Sequence, residues 1–222
     1  MTLDDATGGE GYDYEKDPAA IYRQSFSIVR SEAELDVLPP ALQPVAIRLI
    51  HACGMTDIPH DLMWSDEVAE TAHDALMRGA PVLCDVEMVV HGIIQRHLPA
   101  NNRVICTLNH DDVPELAQRM GTTRSAAAVE HWREHLEGSV VAIGNAPTAL
   151  FHLLEMITSG APKPAAILGF SVGFVGAAES KDALAANALD LPFLALKGRR
   201  GGSAIAAAAV NALAAGLPEE RI

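Results

Sequence analysis

SVVAIGNAPTALFHLLEMI, residues 139–157, passes from an apolar run through a short turn into a helical pattern. The run at 139–144 is apolar nearly throughout, as expected of a strand buried on both faces. GNAPT at 144–148 turns the chain, and Pro147 suits the first helical position, where its missing N–H costs nothing. Working outward, the same kind of run recurs at 81–84 (PVLC), 103–108 (RVICTL), 165–170 (AAILGF) and 192–197 (PFLALK). Helical segments near 86–96, 112–120, 123–136, 178–187 and 203–215 fill the intervals. Upstream lie helical stretches at 17–31, 42–53 and 65–78, with Ser65 suited to cap the last of these. In 42–53, residues Leu42, Val45, Ala46, Leu49, Ile50 and Cys53 follow the spacing of one buried helical face, and Gly54 can end the helix. The alternation implies an α/β fold: a single three-layer domain with a largely parallel sheet of about five strands and helices on both faces.

The 222 residues carry a net charge of −13 and no apolar run of the roughly 18 residues a bilayer requires. The charge opposes nucleic acid and anionic membranes as partners. It leaves room for an anionic small ligand held by a local cluster of cations. Cys53, Cys84 and Cys106 are odd in number and form no CxxC, so they read as reduced thiols of a cytoplasmic protein. Residues 1–11, acidic and polar, read as a loose tail, 12–216 as the domain and 217–222 as a short C-terminal tail.

Ligands of such sheets sit beyond the carboxyl ends of the strands, so the segments after each run are where chemistry is expected. At 144–148, Asn145 and Thr148 flank a helix start whose free N–H groups favour an anion. At 171–181, SVGFVGAAESK offers glycines for close approach and Lys181 for an anion, with neither P-loop nor dinucleotide spacing. At 198–203, GRRGGS sets Arg199 and Arg200 before Ser203, a plausible carboxylate clamp. At 121–132, Thr122 or Thr123 caps a helix with Arg124 and Ser125 in its first turn. An Arg there opposes the helix dipole, which a ligand carboxylate would explain. Ordinary solvated turns would also carry many of these residues.

His51 borders the buried face of 42–53 and lies in its last turn. The helix carbonyl end is expected to raise its pKa, and Arg48 one turn back to oppose this. Such a histidine is a candidate proton donor near neutral pH.

SFSIVRSEA at 25–33, IHACGMTDI at 50–58, GAPVLCDVEMVVHGI at 79–93, TRSAAA at 123–128, GSVVAIGNAPTALFHLLEMI at 138–157, GAPKPAAILGFSVGFVGAAESKDAL at 160–184 and GRRGGSAIAAAAVNALA at 198–214 resemble the precorrin-8X methylmutase family of cobalamin biosynthesis. The resemblance runs from about residue 12 to about 215. It implies an isomerase that moves a methyl group from C-11 to C-12 of precorrin-8X to give hydrogenobyrinic acid. It implies no cofactor, no metal and no external methyl donor, and a homodimer with the site built between subunits. His51 falls at the family's catalytic histidine, which protonates or hydrogen-bonds the ring C nitrogen and so lowers the barrier to a 1,5-sigmatropic shift. Ser25 matches a position that touches substrate. Arg124, Ser125, Asn145, Thr148, Lys181, Arg199 and Ser203 are the further expected substrate-binding residues.

Rival readings follow from other residues. Asp85 and Glu87 after the 81–84 run suggest the nucleophile of a magnesium-dependent phosphatase, or a cap on the next helix. No GDxxxD string completes that magnesium site. His131 and His135 are an i, i+4 pair that could share a metal, but HWREH is not HExxH and reads as a solvated helix face. A cobalt-containing substrate and a non-catalytic corrinoid carrier are the alternatives closest to the resemblance.

Overall fold

A computed structural model describes residues 12–186 and 189–217. The N-terminal tail, residue 187 of the expected helix and most of the C-terminal tail lie outside them. Five apolar runs form strands at β2 (Val82–Cys84), β3 (Val104–Cys106), β4 (Val140–Ile143), β5 (Ala166–Gly169) and β6 (Phe193–Leu196), all parallel where they pair. A sixth strand, β1 (Leu62–Trp64), pairs antiparallel with β6, and the sheet order is β1-β6-β5-β4-β2-β3. β1 escapes sequence reading because three residues are too few to show alternation. Ser65 does not cap a helix. Its Oγ accepts from the Phe193 N–H at 2.9 Å and its own N–H donates to the Phe193 carbonyl, extending the β1–β6 pairing.

The sheet separates two cores by the strict alternation of its side chains. Val82, Cys84, Val140, Ala142, Leu168, Leu194 and Leu196 face one core with α1 (Pro18–Glu32), α2 (Gln43–Cys53), α4 (Val68–Met77), α5 (Glu87–Gly92) and α10 (Ser203–Ala215). Leu83, Val141, Ile143, Ile167, Phe193 and Ala195 face the other, under α7 (Arg124–Val129), α8 (Pro147–Thr158) and α9 (Ala177–Ala185). The three-layer α/β reading therefore holds. Between α2 and β1 lies the short α3 (Ile58–Asp61), and α6 (Val113–Met120) packs on α7. The segment expected as one helix at 123–136 is α7 followed by 3-10 turns over Glu130–His135; α5 likewise stops at Gly92.

Asp85 corrects two expectations. Its buried carboxylate accepts from the N–H groups of Gly144 (2.8 Å), Asn145 (2.9 Å) and Ala146 (2.7 Å). The turn that leads into α8 is thus bound by the protein's own carboxylate, while α8 itself has no side-chain cap bond. Asp85 neither caps α5, whose N-cap Val86 makes no side-chain bond, nor stands open as a nucleophile. Burial pushes its carboxyl pKa up, and the three N–H groups pull it down without fully offsetting that.

Two glycines let the loops beyond β4, β5 and β6 close on one another. A Cβ on Gly201 would lie 2.2 Å from the Phe170 carbonyl oxygen, and one on Gly144 would meet Val89 at 2.6 Å and the Ser203 backbone at 2.8 Å. Removing the Asp85 acceptor strands three backbone donors, at about 1–3 kcal/mol for each buried unsatisfied group. Asp85→Ala is expected to lower unfolding free energy by about 3 kcal/mol or more in urea titration. A loss under about 1 kcal/mol would refute this role.

Candidate active site

His51 lies one turn from Gly54, whose left-handed backbone (φ 71°) ends α2 and whose N–H bonds the Ile50 carbonyl at 2.7 Å. α1 packs across α2 through Phe26 and Val29, both buried, with Asp17 capping its first turn. That crossing brings Ser25 Oγ to 2.7 Å from His51 Nδ1. The Phe26 ring meets the imidazole edge-on at 5.0 Å, and Tyr22 lies tilted at 5.4 Å. A cleft of about 350 Å³ opens beside them, lined by Ser25, Ile28, Ile50, His51, Gly54 and Thr56 among others. A hollow of about 640 Å³ near β1 is lined by Asp66, Glu67 and Asp190, and is the wrong sign for an acidic ligand.

The His51 pKa is lowered, contrary to the rise expected from the helix end. Burial of the ring is the larger cause and the Arg48 charge the second.

The other expected residues gather where the parallel strands end. Thr123 caps α7, accepting from the Ala126 N–H at 3.2 Å, and its Oγ1 lies 2.8 Å from that of Thr148. Arg124 donates to the Leu108 carbonyl (3.1 Å) and Asn109 Oδ1 (3.4 Å), which explains a cation in that first turn. Ser125, half-buried, follows it. Asn145 is exposed, and its carbonyl accepts from Val172 N–H; the Arg199 carbonyl accepts from Gly173 N–H. Arg199 is exposed over the Phe174 ring at 5.2 Å, and Ser203 opens α10 with its side chain largely covered.

Lys181 and Arg200 turn inward. Lys181 is fully buried and its Nζ donates to the Arg200 carbonyl at 2.6 Å, with burial lowering its pKa to about 8. It supports the loop and does not offer an open ammonium to a ligand. Arg200 is a carboxylate clamp, but for the protein's own acids. It grips Asp57 through both terminal nitrogens (2.7 and 2.9 Å), reaches Asp61 at 2.8 Å and touches Met55 Sδ at 3.4 Å. The guanidinium holds the Asp57 carboxyl below its ordinary pKa. No hydrogen bond joins His51 to Arg124, Asn145, Thr148 or Arg199 among the described residues. Arg200 is instead the bridge between the segment after His51 and the loop after β6.

Arg200 had the right chemistry in sequence, but its partners lie about 140 positions away. Asp57 and Asp61, four apart, signal a cation without saying which one. The ring contacts of Tyr22 and Phe26 with His51 carry no sequence signal beyond a helical spacing of four.

A sequence profile of precorrin-8X methylmutase matches residues 20–215. The chain belongs to this family. It is thereby an isomerase of cobalamin biosynthesis. A precorrin-8X methylmutase of Pseudomonas aeruginosa is 62% identical over 202 residues, covering 91% of this chain and 97% of that one. One from a Sinorhizobium species is 56% identical over 203 residues, covering 91% and 97%. The cobalt-precorrin-8 methylmutase of Priestia megaterium is 33% identical over 197 residues, covering 88% and 87%. The solved structure of the precorrin-8X methyl mutase from Thermus thermophilus superposes with a TM-score of 0.80 at 38% identity, covering 87% of this chain and 93% of that one.

In a histidine NMR titration of the free protein, His51 is expected to titrate below 6.5. Arg48→Met, which removes the charge and keeps much of the stem, should move that midpoint upward. A His51 midpoint above 6.5 would mean the helix end outweighs burial.

Proposed function

We propose that the chain converts precorrin-8X to hydrogenobyrinic acid by moving one methyl group from C-11 to C-12, with His51 as the catalytic residue. The observation that carries this is the His51–Ser25 pair, 2.7 Å apart beside an apolar cleft. With the Ser25 hydroxyl donating to Nδ1, the proton of a neutral imidazole sits on Nε2; protonation of the ring then makes both nitrogens donors. Either form donates from Nε2 toward the ring C nitrogen, drawing electrons from the methyl-bearing carbon and lowering the barrier to a 1,5-sigmatropic shift. Substrate carboxylates near the ring would raise the His51 pKa and favour the imidazolium.

Arg124 and Arg199 take substrate carboxylates, with Ser125, Asn145, Thr148 and Ser203 as polar anchors. Lys181 and Arg200 act as positioning residues through the loop after β6. A carboxylated macrocycle extends beyond a cleft of about 350 Å³. This supports a homodimer in which a second copy completes the site. The exposed apolar side chains Ile21, Ile28, Phe174 and Val175 support the same reading. No described helix is long and apolar enough to cross a membrane, and the three cysteines are free, consistent with a cytoplasmic enzyme. The higher identity to the precorrin-8X enzymes than to the cobalt-precorrin-8 ones supports a metal-free ring as substrate.

Incubation with metal-free precorrin-8X should change the visible spectrum at unchanged mass. Change with the cobalt ring alone would move the activity to the cobalt-containing substrate. Binding without turnover of either ring would make the protein a carrier.

His51→Ala should still bind product while losing about 10²–10⁴-fold in kcat, the usual worth of a positioned acid. An unchanged rate would remove His51 from the reaction. If the imidazolium is the donor, kcat/KM falls as pH rises through the free His51 value, below 6.5. The kcat limb should sit at higher pH, because it reports the substrate-bound state. A kcat/KM that is flat between pH 6 and 8 would assign donation to the neutral ring.

A further inference from the structure

His110 and Asp112 follow β3 in the loop that leads into α6, and His131 lies in the 3-10 segment after α7. One ligand atom from each of these residues lies within 4.8 Å of the other two. The His131 Nε2 atom is buried and makes no hydrogen bond, although Asp112 Oδ1 is only 3.2 Å away. The rings of His110 and His131 lie 5.1 Å apart and tilted at 49°, a poor stack for two imidazoles but a geometry that two ligands of one ion can share. His135, four residues on, points elsewhere, toward Glu134 at 3.7 Å. The helical pair of the sequence is therefore not the pair the fold assembles.

A buried imidazole nitrogen without a hydrogen bond is unfavourable unless something else accepts its lone pair or takes its proton. We propose that His110, Asp112 and His131 bind one divalent ion of the zinc class, with a water in the fourth position. Two imidazoles and one carboxylate suit a borderline ion such as zinc, and suit calcium or magnesium poorly. A tetrahedral zinc with bonds of ~2.0–2.1 Å holds its ligand atoms ~3.4 Å apart. The Asp112–His131 pair is already at that spacing, and rotation of the exposed His110 brings in the third.

The loop carrying two of the ligands is otherwise pinned. Thr107 Oγ1 donates to the Ala128 carbonyl at 2.7 Å, and Arg124 donates to the Leu108 carbonyl and Asn109 Oδ1. The ion would close the far end of the same loop onto the segment following α7. Its role is to tether the frame that holds Arg124, and no step of the methyl shift passes through it.

The test is titration of the tag-free full-length chain with Zn²⁺ against a chromophoric chelator, with Co²⁺ as a spectroscopic probe. One equivalent should bind, and Co²⁺ should give the visible ligand-field bands of a four-coordinate site. Asp112→Asn, on an exposed loop, and His131→Gln should each weaken Zn²⁺ by at least ~10-fold, the lower end of what even a second-shell change costs. Each should also abolish the Co²⁺ bands, while His135→Ala leaves both unchanged. Circular dichroism establishes that the variants are folded. Failure of the wild type to compete for Zn²⁺, or equal affinity in Asp112→Asn and His131→Gln, overturns the site.

Discussion

The buried carboxylate of Asp85 organises the carboxyl end of the parallel strands. A charge in that position is tolerable because three successive backbone N–H groups of the turn before α8 converge on it. The bond set joins the end of β2 to the turn after β4, two neighbouring strands, and satisfies three buried or half-buried N–H groups of that turn. Around that turn lie the side chains of Asn145 and Thr148, with Thr123 bonded to Thr148 and Arg124 beside it.

Arg200 performs the corresponding task on the other side. Its backbone carbonyl receives the Lys181 ammonium, and its guanidinium takes Asp57 and Asp61. One residue thus connects α9, the loop after β6 and the segment that follows His51. The imidazole itself is oriented from a different direction, by Ser25 and the rings of α1. His51 thus lies on a helix fixed at its C-terminal end by one network, while its ring is fixed by another.

Much of this was legible in the residues because the parallel strands are buried on both faces and read as unbroken apolar runs. PVLC, SVVAIG, AAILGF and PFLALK each became a strand within a residue or two, and Pro147 and Gly54 marked helix ends as their chemistry requires. β1 was not legible, since its pairing with β6 is decided by a partner some 130 positions away. The directions of charged side chains were the harder part. Asp85, Lys181 and Arg200 look alike in sequence as groups waiting for a ligand, and the fold uses all three internally. Which cation faces outward depends on which carbonyls and carboxylates fold nearby, and no local pattern carries that. His51 shows the same limit: the helix end was visible from sequence, but the burial that outweighs it was not.

The position of Lys181 also ties the fold to protons. Its folded pKa of about 8 lies below the ordinary lysine value of 10.5, so between those two values the unfolded chain binds a proton that the folded chain does not. Stability from this residue therefore rises with pH across that interval and is at its lowest below pH 8, where the ammonium must be charged while enclosed. At neutral pH the loop beneath the site is held by a group working against its own solvation. It is the alkaline side, where many folds begin to loosen, on which this lysine ceases to oppose folding.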